Sequence, residues 1–151
     1  MKTLKAYIEN SVIGGYFDDE FKKPTKKLFD EFKKGNYKAV ISSHVIAELE
    51  KGAPEYVVMN LDSIDYKKYS VNDEMLDLAE RYLDEEIVSE KYRGNALHIA
   101  IATIIDVDVL VSWNFKHIVN LNKIKLFNSV NLKEGYNLLE IRTPQEVLKD
   151  G

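Results

Sequence analysis

The stretch from Asn95 to Ile105 limits the fold more than any other part of this chain. Ala96, Leu97, Ile99, Ala100, Ile101, Ala102, Ile104 and Ile105 leave a helix of that length without a wet face. A helix that is apolar all round has to be covered all round. Shortly after it, Val109 to Ser112 reads as a strand whose apolar residues are unbroken, as in parallel sheets covered on both faces. A buried helix followed by a buried strand calls for a layered architecture with its sheet inside.

Periodicity lays out the other elements. Leu4 to Ile8 is a short strand closed by polar Glu9 and Asn10, and Gly14-Gly15 permits a turn. Pro24 to Lys34 is a helix with Leu28, Phe29 and Phe32 on one side and Gly35 as its stop. Lys38 to Ile41 is a second strand; Ser42 or Ser43 then caps a helix through Leu49 that Gly52 and Pro54 halt. Between Ala53 and Val71 a short helix precedes an extended run. Asn72 caps a helix to Leu83 with Met75, Leu76, Leu78, Ala79 and Tyr82 as its buried stripe. Trp113 to Val119 turns into a helix, Lys123 to Glu134 is another, and Leu138 to Ile141 is a last strand. Thr143-Pro144-Gln145-Glu146 is a capping box with proline at the first helical position. Strands separated by helices require crossover connections, so the expected fold class is α/β, a short, mainly parallel central sheet sandwiched between helices. The 151 residues suit one domain, 1–151.

Composition narrows the chemistry. Without cysteine there are no disulfides, thiolate nucleophiles or thiolate-bound zinc, which leaves oxygen and histidine as metal donors. The same absence, with no apolar signal-peptide core and no run near the roughly 20 apolar residues of a membrane span, predicts a cytoplasmic protein with no membrane partner. The formal net charge of −4 argues against coating nucleic acid by bulk electrostatics. Yet Lys22 to Lys38 holds seven lysines against two acids, and Asp73 to Glu90 holds eight acids against one arginine, so the total conceals a basic segment. Solvated helix faces are the plain reading of both runs.

In a parallel sheet, ligands bind outside the carboxyl ends of the strands. Glu9, Asn10 and Ser11 follow the first strand, Ser43 to Glu48 the second, and Ser112 to Asn114 the third. Glu9, Glu48, Asn95 and Asn114 are the polar groups that this topology gathers. Carboxylates converging without cysteine hold Mg²⁺ or Mn²⁺ through oxygen and water, and such ions activate water and stabilise charge on a phosphoryl group. His98 shares the helix face of Asn95, either as a hydrogen-bonded core residue or as a group reaching a phosphate or metal-bound water. Ser11 and Ser112 bond a metal water or ligand carboxylate, or serve as turn and cap residues. His44 is expected to be exposed near its helix start.

At these residues the sequence acquires a family likeness. YIENSVIGGYF (Tyr7 to Phe17), ISSHVIAELE (Ile41 to Glu50), NALHIAIAT (Asn95 to Thr103) and DVLVSWNFKHIVN (Asp108 to Asn120) together resemble the PIN-domain family, and within it the VapC-like group. The resemblance implies an α/β/α sandwich and a Mg²⁺/Mn²⁺-dependent endoribonuclease that hydrolyses RNA phosphodiesters. Such proteins are often the toxin of a toxin–antitoxin pair and commonly homodimers. The family's first acid falls on Glu9, its glutamate on Glu48, its third acid on Asn95 and its fourth position on Asn114, with Ser112 two residues before. Glu9, Glu48 and Asn95 are then the implied metal ligands. Glu9 stands where aspartate is usual and keeps the charge. Asn95 does not: an amide oxygen can coordinate but brings no charge, so the cluster carries −2 where the family pattern gives −3. A weakened or lost nuclease is the expectation.

Around that site, Lys116 and His117 either meet RNA phosphates or cap the short helix after the third strand. Trp113 packs beside its strand or stacks on a base. Phe17, Phe21, Phe29 and Tyr37 accompany the lysine-rich segment as a basic–aromatic RNA or partner face. Two other readings stand beside the enzyme: a silent module binding RNA or protein through the same cleft, and a structural partner whose acidic Asp73 to Glu90 helix pairs with a basic protein.

Overall fold

The computed structural model describes residues 2–150, with side chains through residue 148. The strands are β1 (Leu4–Ile8), β2 (Tyr37–Ser42), β3 (Tyr66–Tyr69), β4 (Val109–Val111) and β5 (Ile141–Arg142). The helices are α1 (Asn10–Gly15), α2 (Lys22–Lys33), α3 (Ser43–Gly52), α4 (Glu55–Leu61), α5 (Asp73–Asp84), α6 (Arg93–Ile105), α7 (Leu121–Lys133) and α8 (Pro144–Asp150), with a 3₁₀ turn at Glu90–Tyr92 before α6. All five strands run parallel in the order β3-β2-β1-β4-β5, flanked by helices, which is the α/β sandwich expected. The sheet is wholly parallel, where the sequence promised only a mainly parallel one. Central β1 buries Ala6, Tyr7 and Ile8 completely, with Ala6 opposite Ala39 on one side and Val109 on the other. No helix among the described residues is long and apolar enough to cross a membrane.

Side-chain caps set most helix starts. Ser42 accepts from the Val45 amide, Asn72 from Met75 and Asn120 from Lys123, each supplying a partner to an otherwise orphaned donor. At α8 the capping box closes reciprocally: Thr143 N–H donates to Glu146 at 2.9 Å, and Glu146 N–H donates to Thr143 Oγ1 at 3.2 Å. Helix α6 has Ala96, Ile99, Ala100, Ile101 and Ala102 sealed, as its composition demands, while Leu97, Ile104 and Ile105 are half-buried.

Several local expectations are corrected. Gly14 and Gly15, read as permitting a turn, end a helix over Asn10–Gly15, because the Glu9 carboxylate caps it and Val12 and Ile13 reach the core. Trp113 to Val119 makes no helix; the Asn114 carbonyl accepts from Ile118 and Val119 while its side chain accepts from the His117 amide, a single turn. Leu138 is exposed and outside β5, since only Ile141 and Arg142 find partners on three-residue β4. Leu76 lies outside the stripe, because Met75, Leu78, Ala79 and Tyr82 repeat every three to four positions and Leu76 falls about 100° away. Phe29 and Tyr37 are core residues and offer no surface.

Trp113 packs instead of offering a free base platform: it stacks on Phe21 at 4.3 Å between ring centres, and its indole N–H donates to Thr25 Oγ1 at 2.9 Å. Gly15 makes this possible, since a Cβ there would lie 2.9 Å from Trp113 Cδ1 and 3.2 Å from Thr25 Oγ1. Gly15→Ala is therefore expected to destabilise the fold by about 1–3 kcal/mol through overpacking, read as a lower urea midpoint with an unchanged m-value.

Candidate functional site

Because every strand is parallel, the residues following β1, β2 and β4 share one edge of the sheet. Glu9 leaves β1 and is 4% exposed. Its Oε2 accepts from the Ser11 amide at 3.1 Å and its Oε1 from the Ser11 hydroxyl. Ser11 Oγ in turn accepts from the Trp113 amide at 2.8 Å and lies 3.4 Å from Ser112 Oγ. Ser112 Oγ accepts from the Asn114 amide at 2.9 Å. The two serines thus serve as turn and cap residues that join the end of β4 to the Glu9 carboxylate. Asn10 donates its amide to the Val45 carbonyl at 3.2 Å, which leaves its own buried Oδ1 without a partner.

A second seam runs inward from Glu48. His98 Nε2 lies 2.6 Å from Glu48 Oε1, and His98 Nδ1 lies 2.7 Å from the Tyr7 hydroxyl, which is 2.9 Å from Ser42 Oγ. With a neutral imidazole one proton arrangement satisfies every group: Ser42 O–H donates to Tyr7, Tyr7 O–H to Nδ1, and Nε2–H to the carboxylate. On the other side, His44 Nε2 donates to the Gly94 carbonyl at 3.1 Å and stands 3.6 Å from Glu48 Oε2. Gly94 leaves room for that carboxylate, since a Cβ would meet Glu48 Oε2 at 3.0 Å.

The electrostatics follow from this packing. Burial pushes the Tyr7 phenol well above its ordinary 10.0, and the Glu9 and Glu48 charges add to the rise, so Tyr7 is a neutral hydroxyl. Burial alone would raise Glu48, but the His98 hydrogen bond and the charges of His98, His44 and Lys51 outweigh it and hold the carboxyl below 4.5. Burial, then the neighbouring His98, lowers His44 below 6.5.

The predicted residues divide accordingly. Glu9, Ser11, Ser112 and Asn114 share one connected seam, and Glu48 and His98 share the other. Asn95 is half-buried at the start of α6 and makes no side-chain hydrogen bond among the described residues. Lys116 is exposed; the half-buried His117 ring stacks on Tyr92 at 3.7 Å, with Nδ1 unpaired. His44 corrects an expectation: its side chain is only 16% exposed, because it turns along α3 toward Glu48. The i,i+4 spacing of His44 and Glu48 was the available sequence signal, since such pairs share a helix face. Carboxylates and amide oxygens such as those of Glu9, Glu48 and the unpartnered Asn10 are the donor type a hard divalent cation takes.

The fold is like that of the toxin VapC20 from Mycobacterium tuberculosis, which cleaves the sarcin–ricin loop. The match has a TM-score of 0.55 and 14% identity over 74% of this chain and 92% of that one. A tyrosyl-tRNA synthetase from Aeropyrum pernix matches with a TM-score of 0.54 and 8% identity, over 93% of this chain and 53% of that one. No family model matches the sequence, and no curated protein matches it. At these identities the likeness is one of fold, and the VapC20 match agrees with a PIN-like sandwich.

Three depressed groups tie stability to pH in the same direction. Glu48 stabilises the fold above its ordinary value of 4.5 and loses that contribution as pH falls through its lower folded value. His44 and His117, held neutral by the fold, resist protons that the unfolded chain accepts below 6.5. Resistance to urea is therefore expected to fall as pH drops below 6.5 and again below 4.5, and His44→Gln should shrink the first step.

Proposed function

We propose that this chain is a VapC-like PIN-fold endoribonuclease that uses Mg²⁺ or Mn²⁺ to hydrolyse RNA phosphodiesters, with metal affinity reduced by Asn95. The observation that carries the reading is the placement of Glu9, directly after β1, and Glu48, on the helix that follows β2, at the carboxyl edge of an all-parallel sheet. The fold likeness to VapC20 supports it. Glu9 and Glu48 would hold the ion, with Asn95 and Asn114 as neutral oxygen donors or holders of its waters and Asn10 beside them. Ser11 and Ser112 fix Glu9, and His98 orients Glu48. When bound, the ion supplies an activated water and offsets charge on the phosphoryl group. Lys116, His117 and the exposed Phe115, which follow β4, would meet the RNA backbone and a base. The reading also carries a cytoplasmic location, an antitoxin protein as partner and a homodimer as assembly.

The neutral Asn95 favours one competing reading, a silent module that binds RNA or a protein without cleaving. Calorimetric Mn²⁺ titration and cleavage of a fluorogenic single-stranded RNA separate the two. Asn95→Asp is expected to tighten Mn²⁺ about tenfold, since one carboxylate is added to a hard-ion site, and to raise cleavage. Glu9→Gln and Glu48→Gln are expected to abolish cleavage. RNA binding indifferent to metal and to both substitutions would establish the silent module, and an Asn95→Asp protein unchanged in both assays would overturn the site.

A further inference from the structure

His44, Glu48 and His98 form a donor set of a different character from the oxygen groups around Glu9. One ligand atom from each lies within 4.8 Å of the others. We propose that these three residues bind a divalent transition-metal ion of borderline softness, of the Zn²⁺ or Co²⁺ class, at a site that discriminates against Mg²⁺. The proposal shares Glu48 with the nuclease reading but does not depend on cleavage.

Donor chemistry comes first. Two imidazole nitrogens and one carboxylate suit Zn²⁺, Co²⁺ or Ni²⁺, whereas Mg²⁺ takes oxygen and water. Geometry agrees. Ligand atoms about 2.0–2.2 Å from a tetrahedral zinc lie roughly 3.4 Å from one another. The contacts already present, 2.6 Å from His98 Nε2 to Glu48 Oε1 and 3.6 Å from His44 Nε2 to Glu48 Oε2, bracket that separation. Small side-chain shifts would suffice.

The frame is also built for the purpose. His44 and Glu48 stand one turn apart on α3, and His98 comes from the facing helix α6. The His98 ring is 1% exposed, and the Tyr7 hydroxyl lies against its far nitrogen, an arrangement that orients metal-bound histidines. On binding, His98 would carry its proton on Nδ1 and donate it to Tyr7, and His44 would give up the Gly94 carbonyl and carry its proton on Nδ1. No net proton need leave a neutral pair. Glu48 keeps 36% of its side chain exposed, which leaves an open position for water or an anionic ligand.

Co²⁺ titration of the chelator-treated full chain tests this, with visible absorption as the readout. One equivalent of Co²⁺ is expected to produce the intense bands of a low-coordinate nitrogen–oxygen site, displaced by Zn²⁺ and not by millimolar Mg²⁺. His44→Gln and Glu48→Gln should each weaken Co²⁺ by more than the roughly 10- to 100-fold that loss of an outer partner costs. Glu9→Gln should leave the spectrum intact. Circular dichroism confirms folding of each variant, and His44, partly exposed on α3, is the substitution least able to disturb the core. Absence of the bands, or bands that persist in both His44→Gln and Glu48→Gln, would overturn the proposal. Bands retained in Glu9→Gln alongside lost cleavage support both this site and the nuclease. Bands absent while Mg²⁺-dependent cleavage persists overturn this site alone.

Discussion

A phenol in the middle of a sealed sheet is the constraint on which the rest of the site depends. Tyr7 lies near the carboxyl end of the central strand and is fully buried. A buried hydroxyl without a partner costs about 1–3 kcal/mol, so the fold must bring partners to it. They come from two directions in sequence: Ser42 at the end of β2 and His98 from the middle of α6. Once His98 is held by Tyr7, its other nitrogen meets Glu48, and the carboxylate acquires both a place and a reason to stay ionised. One satisfied hydroxyl thus ties β1, β2, α3 and α6 into a single polar seam.

The Glu9 seam obeys the same accounting by shorter steps. Its carboxylate caps α1, Ser11 passes the connection to the Trp113 amide, and Trp113 reaches Thr25 on α2. The cap is therefore also the link that holds the end of β4 against α1 and α2. The negative charges of both Glu9 and Glu48 add to the rise that burial imposes on the Tyr7 phenol.

Charge distribution bears on the competing roles of the acidic segment. Several of its acids already have partners on this chain: Glu80 and Glu90 hold Arg93, and Glu74 accepts from Tyr136. Such exposed pairs contribute little to stability, but they leave the acidic face less free for a basic protein than its composition implies. Arg93 is tied down directly before Gly94 and Asn95, so the start of α6 presents a neutral amide and no compensating acid.

What the sequence determined by itself were the features encoded locally. The all-round apolarity of residues 96–105, the unbroken run at 109–111 and the Ser42, Asn72 and Thr143 caps each depend on neighbours a few residues apart, and all were legible. The positions of Glu9 after β1 and of Glu48 on the helix after β2 were legible too, because a parallel sheet gathers its carboxyl ends on one edge. The helix at Asn10–Gly15 was not, since its cap comes from Glu9 and its tolerance of Gly15 from a tryptophan 98 positions later. Nor was the pairing of Glu48 with His98 across 50 residues, or the turn of His44 toward the same carboxylate. Those contacts depend on how α3 and α6 sit over β1, and only the tertiary structure decides that, because a side-chain period records which face is buried and not what it is buried against.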